Sequence, residues 1–112
     1  MQLMTKEIKQ KLLLNGDITN RGNDHKPVVK FFGGSSFTWL ITEMDSVDDD
    51  TMYGLCDLGM GYPELGYVSL KELESMKFPP LGLGVERDLN FKANVTLSQY
   101  HNEALEHHRI IA

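Results

Sequence analysis

PVVKFFGGSSFTWLITEM, residues 27–44, reads as two apolar, β-prone runs joined by a Gly-Gly-Ser-Ser turn. Val28, Val29, Phe31, Phe32, Phe37, Trp39, Leu40 and Ile41 are β-branched, aromatic or aliphatic residues that suit a pleated, half-buried surface. Turn-forming residues bracket the pair: Gly22, Asn23 and Asp24 before it, an aspartate run after it. In the second run Phe37, Trp39 and Ile41 share one parity with Glu43, while Thr38, Leu40, Thr42 and Met44 take the other. The odd set is expected to face the core and the even set to be half covered. A hairpin this apolar needs a cover, and the flanking segments supply it.

Before the hairpin, Met4 to Leu14 reads as a helix. Thr5 suits its N-cap, Glu7 complements the dipole, and Ile8 and Leu12 share a face. Asn15-Gly16 predicts a left-handed stop. After the hairpin, Asp45 to Asp50 reads as an acidic turn and Thr51 to Leu58 as a third strand, with Ile41 and Leu55 as cross-strand neighbours. Leu65 to Val68 forms a short fourth strand. Ser69 and Glu72 match a capping box, with Val68 and Leu73 as its staple, so a helix runs from Leu70 to about Met76 until Pro79-Pro80 stops it. Leu81 to Gly84 reads as a loop and Val85 to Phe91 as a strand with Val85, Leu89 and Phe91 on one side. The cap pattern returns at Thr96 and Gln99. It opens a last helix to about His108, with Leu97, Tyr100, Ala104, Leu105 and His108 on its apolar stripe. The order predicts an α+β fold: one small antiparallel sheet of four to five strands, covered by N-terminal, inserted short and C-terminal helices.

A chain of 112 residues has the size of one domain, 1–112, and buries enough surface for one core without crosslinks. The lone Cys56 excludes an internal disulfide and fits a reducing cytosol. No apolar run is long enough for a bilayer, and MQLMTKEIKQ lacks the apolar region of a secretory signal. The expectation is a complete, cytoplasmic domain with no membrane partner. At a net charge of −5 and a pI near 5.2, with scattered Lys and Arg, direct nucleic-acid binding is not expected.

The chemistry-bearing residues give no strong motif. Glu43, Asp45, Asp48, Asp49 and Asp50 lack the glycine and glutamate that a calcium loop needs, and read as a solvated turn. His25, His101, His107, His108 and Cys56 lack the paired spacing of a zinc site. Cys56, mid-strand beside Leu55, reads as an inert thiol. Gly59-x-Gly61 and Gly82-x-Gly84 are tight turns, since no helix start follows them. No metal or cofactor is therefore expected. Two groups stand out as candidate binding residues: Tyr62, Glu64 and Tyr67, and the tripeptide Glu86-Arg87-Asp88. Arg87 on an apolar face calls for a carboxylate partner such as Glu43 or Glu64, either as a structural salt bridge or as part of one polar cleft.

Four phrases together carry a resemblance: DHKPVVKFF (24–32), TWLITEMD (38–45), GLCDLGMGYPELGYVSLKELES (54–75) and GLGVERDLNF (82–91). They resemble a bacterial family of about this length that is known only as a domain of unknown function. The resemblance implies a setting more than an activity: cargo of plasmids, integrative conjugative elements and phages, near conjugation or anti-restriction genes. It brings no reaction, cofactor or catalytic residue. Together with the acidic charge, it implies a small, non-enzymatic accessory factor of a mobile element. Such a factor would bind another protein, host- or element-encoded, with an anti-defence inhibitor as one concrete version. The alternative is a small enzyme or ligand-binding protein with an acidic and arginine-lined cleft around Glu43, Glu64 and Arg87.

Overall fold

A computed structural model describes residues 2–112. The fold is α+β. Its elements are α1 (Lys6–Asn15), β1 (Val29–Gly33), β2 (Phe37–Met44), β3 (Thr51–Asp57), β4 (Glu64–Ser69), α2 (Leu70–Ser75), β5 (Lys77–Phe78), β6 (Leu83–Gly84), β7 (Glu86–Arg87) and α3 (Leu97–His107). Five strands form an antiparallel sheet in the order β4-β3-β2-β1-β7, and β5 and β6 form a separate small hairpin. The predicted hairpin is β1 and β2, with Phe31 opposite Trp39 and Val29 opposite Ile41.

Both faces of this sheet are covered, where the sequence suggested one. On the first face Val29, Phe31, Trp39, Ile41 and Met52 pack with Leu12 of α1 and Leu73 of α2. On the second, Leu40 and Leu55 pack with Leu97, Tyr100 and Ala104 of α3. Alternation along a strand sends neighbouring residues to opposite faces, so the continuous apolar run Trp39-Leu40-Ile41 feeds both cores. All three are at most 2% exposed.

A bulge in β2 changes the expected parity. Ile41 pairs with Gly54 and Glu43 with Tyr53, leaving Thr42 as the extra residue. Met44 thereby joins the first-face core opposite Met52, and Glu43 moves to the second face. In regular register Glu43 would oppose Met52 and bury a carboxylate among apolar side chains. The end of α1 holds the bulge in place. Asn15 Nδ2 donates to the Thr42 carbonyl at 3.0 Å, and Thr42 Oγ1 donates to the Tyr53 carbonyl at 3.3 Å. Gly16 is not left-handed as expected, since its φ is −85°. It is glycine because a Cβ there would lie 2.1 Å from the Met44 carbonyl oxygen. The neighbour of Leu55 is likewise Leu40, one residue away from the expected Ile41.

Helix caps agree closely with local chemistry. Thr5 Oγ1 accepts from Ile8 N at 3.1 Å, Ser69 Oγ from Glu72 N at 3.2 Å, and Gln99 Oε1 from Thr96 N at 3.0 Å. The C-terminal third departs further from expectation. Leu83–Gly84 is a strand where a loop was predicted, and β7 has only two residues. Val85 joins the first core, Phe91 packs against the second, and Leu89 is exposed, so the three do not share a side. In α3, Leu105 and His108 leave the buried stripe. They line an open hollow together with Tyr62 and Leu65.

The aspartate run builds its own turn. Asp45 Oδ1 accepts from Val47 N, and Asp48 accepts from the backbone of Asp50 and Thr51 and from the Thr51 hydroxyl. Asp49, at φ 59°, pairs with Lys9 of α1. Asp50 accepts from Ser69 Oγ and Lys71 N and so anchors the start of α2. These bonds hold the Asp48 and Asp50 carboxyls below their ordinary pKa, with the Thr51 and Ser69 hydroxyls as the first causes. At the other end of β3, buried Asp57 accepts from Gly59 N at 2.9 Å and from Ile110 N at 3.0 Å, tying down the C-terminal tail. Among the described residues, no helix is long and apolar enough to cross a membrane.

Candidate functional site

On the second face α3 covers β2 and β3 but leaves β4 open. The uncovered strip is a groove. Its central cleft, about 710 Å³, is bounded by Glu43, Tyr53, Leu65 and Tyr67 from the sheet, the loop at Arg21–Asp24, and Leu97 and Ser98 at the start of α3. A second hollow of about 390 Å³ shares Arg21, Glu43, Tyr53 and Tyr67 and reaches Asp17 and Asp45. A third, about 620 Å³, shares Leu65 and runs between Tyr62 and Glu64 on one side and His101, Leu105 and His108 on the other. All three are lined in part by β4, through Leu65 and Tyr67.

Each wall has a local cause. The bulge turns Glu43 into the groove, where its side chain is 12% exposed. Gly22 N donates to Glu43 Oε2 at 3.1 Å, and Gly22 has the left-handed φ of 85° that presents that N–H. His25 Nε2 sits 4.0 Å from the same oxygen and 2.9 Å from the Asn20 carbonyl, which places a proton on that nitrogen. Among the described residues, Glu43 Oε1 takes no hydrogen bond. Tyr53 and Tyr67 face each other across β3 and β4, with ring centroids 5.1 Å apart and planes at 55°. Burial, with Tyr67 and Glu43 adding to it, pushes the Tyr53 phenol above its ordinary pKa, so it is neutral at physiological pH.

The loop wall is fastened to α3. Leu97 N donates to the His25 carbonyl at 2.9 Å, and Asp24 accepts from Ser98 N and from the Ser98 hydroxyl. The first turn of α3 has no acidic residue of its own, so Asp24 supplies its negative charge from a distant loop. The Ser98 hydroxyl and backbone hold the Asp24 carboxyl below its ordinary value of 3.8. A depressed carboxylate pKa contributes stability above the unfolded value and loses it as pH falls through the folded one. Asp24→Asn is expected to cost about 0.5–1 kcal/mol at neutral pH, held low by solvent screening at an exposed site. Urea denaturation should show that difference shrinking below about pH 4.

The sequence-derived candidates divide. Glu43 and Tyr67 share the central cleft, and Tyr62 and Glu64 line the groove's far end. Arg87 lies elsewhere: it pairs with Phe31 in β7, at the opposite edge of the sheet from Glu64, and its Nη1 donates to the carbonyls of Gln2 and Leu3. Glu86 is exposed on the same edge, and Asp88 is 3.6 Å from Lys30 Nζ, with its N–H on the Lys30 carbonyl. Glu43, Glu64 and Arg87 therefore do not meet in one cleft. Arg21, Asp24, Tyr53 and Ser98 were missed. The one available signal was Tyr53 sharing parity with Leu55, which marks it for the second face.

Cys56 stands on the first face opposite Trp39. Burial, helped by Glu64, pushes its thiol up to about 11. Iodoacetamide is expected to label it slowly at neutral pH, since the thiolate is the nucleophile. The raised folded pKa also predicts that its contribution to stability, full below the ordinary 9.0, is lost as pH rises through about 11.

An antiparallel sheet between helices, with an acidic and aromatic groove along an open edge strand, defines a small α+β domain with one partly uncovered face. The chain belongs to the family described as Protein of unknown function (DUF2958), which matches residues 3–111. Comparison with curated proteins and with solved structures finds no match to either.

Proposed function

We propose that this chain is a small, non-enzymatic accessory factor that works by binding another protein, seated along β4 and in the groove beside it. The observation that carries this reading is the state of β4. It is the outer strand of the sheet, and Tyr62 and Tyr67 beside and within it are 78% and 76% exposed. Leu58, Met60 and Leu65 add exposed apolar surface around them. An open strand edge offers backbone hydrogen bonds to an added strand, and exposed aromatic side chains anchor protein interfaces. The net charge of −5 favours a basic partner surface.

The resemblance to proteins carried on bacterial mobile DNA supports a host- or element-encoded partner, with inhibition of a defence system as one concrete role. The test is capture from a bacterial host lysate by the wild-type chain and by a Tyr62→Ser, Tyr67→Ser double variant. The wild type is expected to retain a discrete protein that the variant loses. Because both side chains are exposed, the variant's stability should change by less than about 1 kcal/mol. Equal capture by both overturns the proposal, as does no capture by a wild-type chain that turns over a substrate.

A small-ligand reading has one observation in its favour, the 710 Å³ cleft holding Glu43 and Tyr67. It differs in extent. A small ligand would fill the cleft without touching Tyr62 or Leu105, so a Tyr62→Ser variant would bind it normally.

A further inference from the structure

Glu43 is the least ordinary group in the groove. Its side chain is 12% exposed, its Oε2 accepts one backbone N–H, and its Oε1 takes no hydrogen bond among the described residues. Among the described residues no buried side-chain oxygen lacks a partner, so Oε1 opens to the cleft, where a donor from a ligand can reach it while Oε2 stays fixed by the Gly22 N–H. His25 brings a ring nitrogen to 4.0 Å, and that nitrogen is already turned to the Asn20 carbonyl. Arg21 lines the same cleft yet forms no ion pair with Glu43. The Oε1 acceptor is thus accessible to a donor that enters the cleft.

Its surroundings say what kind of group that is. Tyr53, directly opposite Glu43 in the sheet, and Tyr67 beyond it stand at 55° to one another, 5.1 Å apart, and both line the cleft. Aromatic faces attract cations, and a planar guanidinium both stacks on a ring and donates to a carboxylate. The neighbouring hollow adds Asp17 and Asp45, against Arg21 as the one Lys or Arg among the described residues lining the two spaces. Anions and neutral polar groups would gain little here.

We propose that the part of the groove formed by Glu43, Tyr53 and Tyr67 receives one arginine side chain from an extended basic segment of the protein partner. This rests on the protein-binding reading above and deepens it. The arginine's guanidinium donates to Glu43 Oε1 and stacks against the tyrosine pair, while its backbone follows β4 towards Leu65 and Tyr62. Arg21 is a competitor at the mouth of the site, not a ligand of the incoming group.

The probe is a short capped peptide with a single arginine between leucines, compared with the same peptide carrying citrulline, which keeps the shape and removes the charge. Both are titrated into the ¹⁵N-labelled full chain. Arginine peptide is expected to shift the amides of Gly22, Glu43, Tyr53 and Tyr67 and to bind about tenfold more tightly than citrulline peptide. Glu43→Gln, whose amide oxygen still accepts the Gly22 N–H, should remove that preference. Tyr67→Ala, at an exposed position, should weaken the arginine peptide about fivefold and serves as the second variant if Glu43→Gln lowers stability. Arg21→Ala should leave binding unchanged or strengthen it.

Equal binding of the two peptides, shifts centred elsewhere, no binding at millimolar peptide, or weakened binding on Arg21→Ala each overturn the arginine site. The two readings fail separately. A wild-type chain that captures a partner from lysate but does not distinguish arginine from citrulline loses only the arginine site. A chain that distinguishes the peptides but captures no protein loses only the partner reading.

Discussion

Gly54→Ala is expected to destabilise this protein by about 3 kcal/mol or more, a large part of the 5–15 kcal/mol that holds a typical domain folded. A Cβ at Gly54 would stand 2.0 Å from the Leu40 carbonyl oxygen and 2.9 Å from the Ile41 Cα. Both obstacles are backbone of the neighbouring strand, so no side-chain rotation relieves the clash. The strands would have to separate next to the bulge, where Leu40 and Ile41 feed the two cores. Gly66 is the internal control. It pairs with Gly54 across β3 and β4, yet a Cβ there meets nothing within 4 Å. Gly66→Ala should change stability by less than about 1 kcal/mol, with the reduced freedom of the unfolded chain acting in its favour. Urea denaturation followed by circular dichroism measures both. Similar losses for the two variants would show that the close strand approach does not set the cost at Gly54.

Trp39→Ala carries the second large effect, a loss of about 3–5 kcal/mol. Trp39 is 2% exposed and lies between Phe31 and Cys56 across the sheet. Phe37 meets it edge-to-face at 5.9 Å and meets Phe78 of the small β5–β6 hairpin at 5.2 Å. Such aromatic pairs add to the area they bury, so truncation removes transfer energy and packing together and leaves a cavity. The Phe37–Phe78 contact also ties the small hairpin to this aromatic cluster, so near-ultraviolet dichroism should fall more than the loss of one chromophore. Val47→Ala, at a residue 93% exposed, should leave the denaturation midpoint unchanged. A Trp39→Ala protein with wild-type stability would mean that this centre of the first core is not load-carrying.

The hairpin and the three helix starts were legible because their causes lie within a few residues. Gly33 to Ser36 turn the chain between two apolar runs, and Thr5, Ser69 and Thr96 sit where local side chains meet free backbone groups. The groove was only half legible. Glu43 and Tyr67 stood out as polar or aromatic residues in apolar company, but their meeting depends on Thr42 bulging from β2. Asp24 and Ser98 were invisible as a pair, since 74 positions separate them. Arg87 misled the reading: its apolar surroundings suggested a carboxylate partner, while the observed acceptors include the carbonyls of Gln2 and Leu3.

Local residue chemistry was enough to specify an acidic α+β domain with an aromatic β-hairpin and capped helices, because turns, caps and alternation act over a few residues. The division of side chains between two cores, and hence the groove, was decided by long-range packing. One extra residue in β2, held by Asn15 and crowded by Gly16, reverses which faces Glu43 and Met44 meet. No periodicity in the chain records a choice made by a neighbour almost thirty positions away.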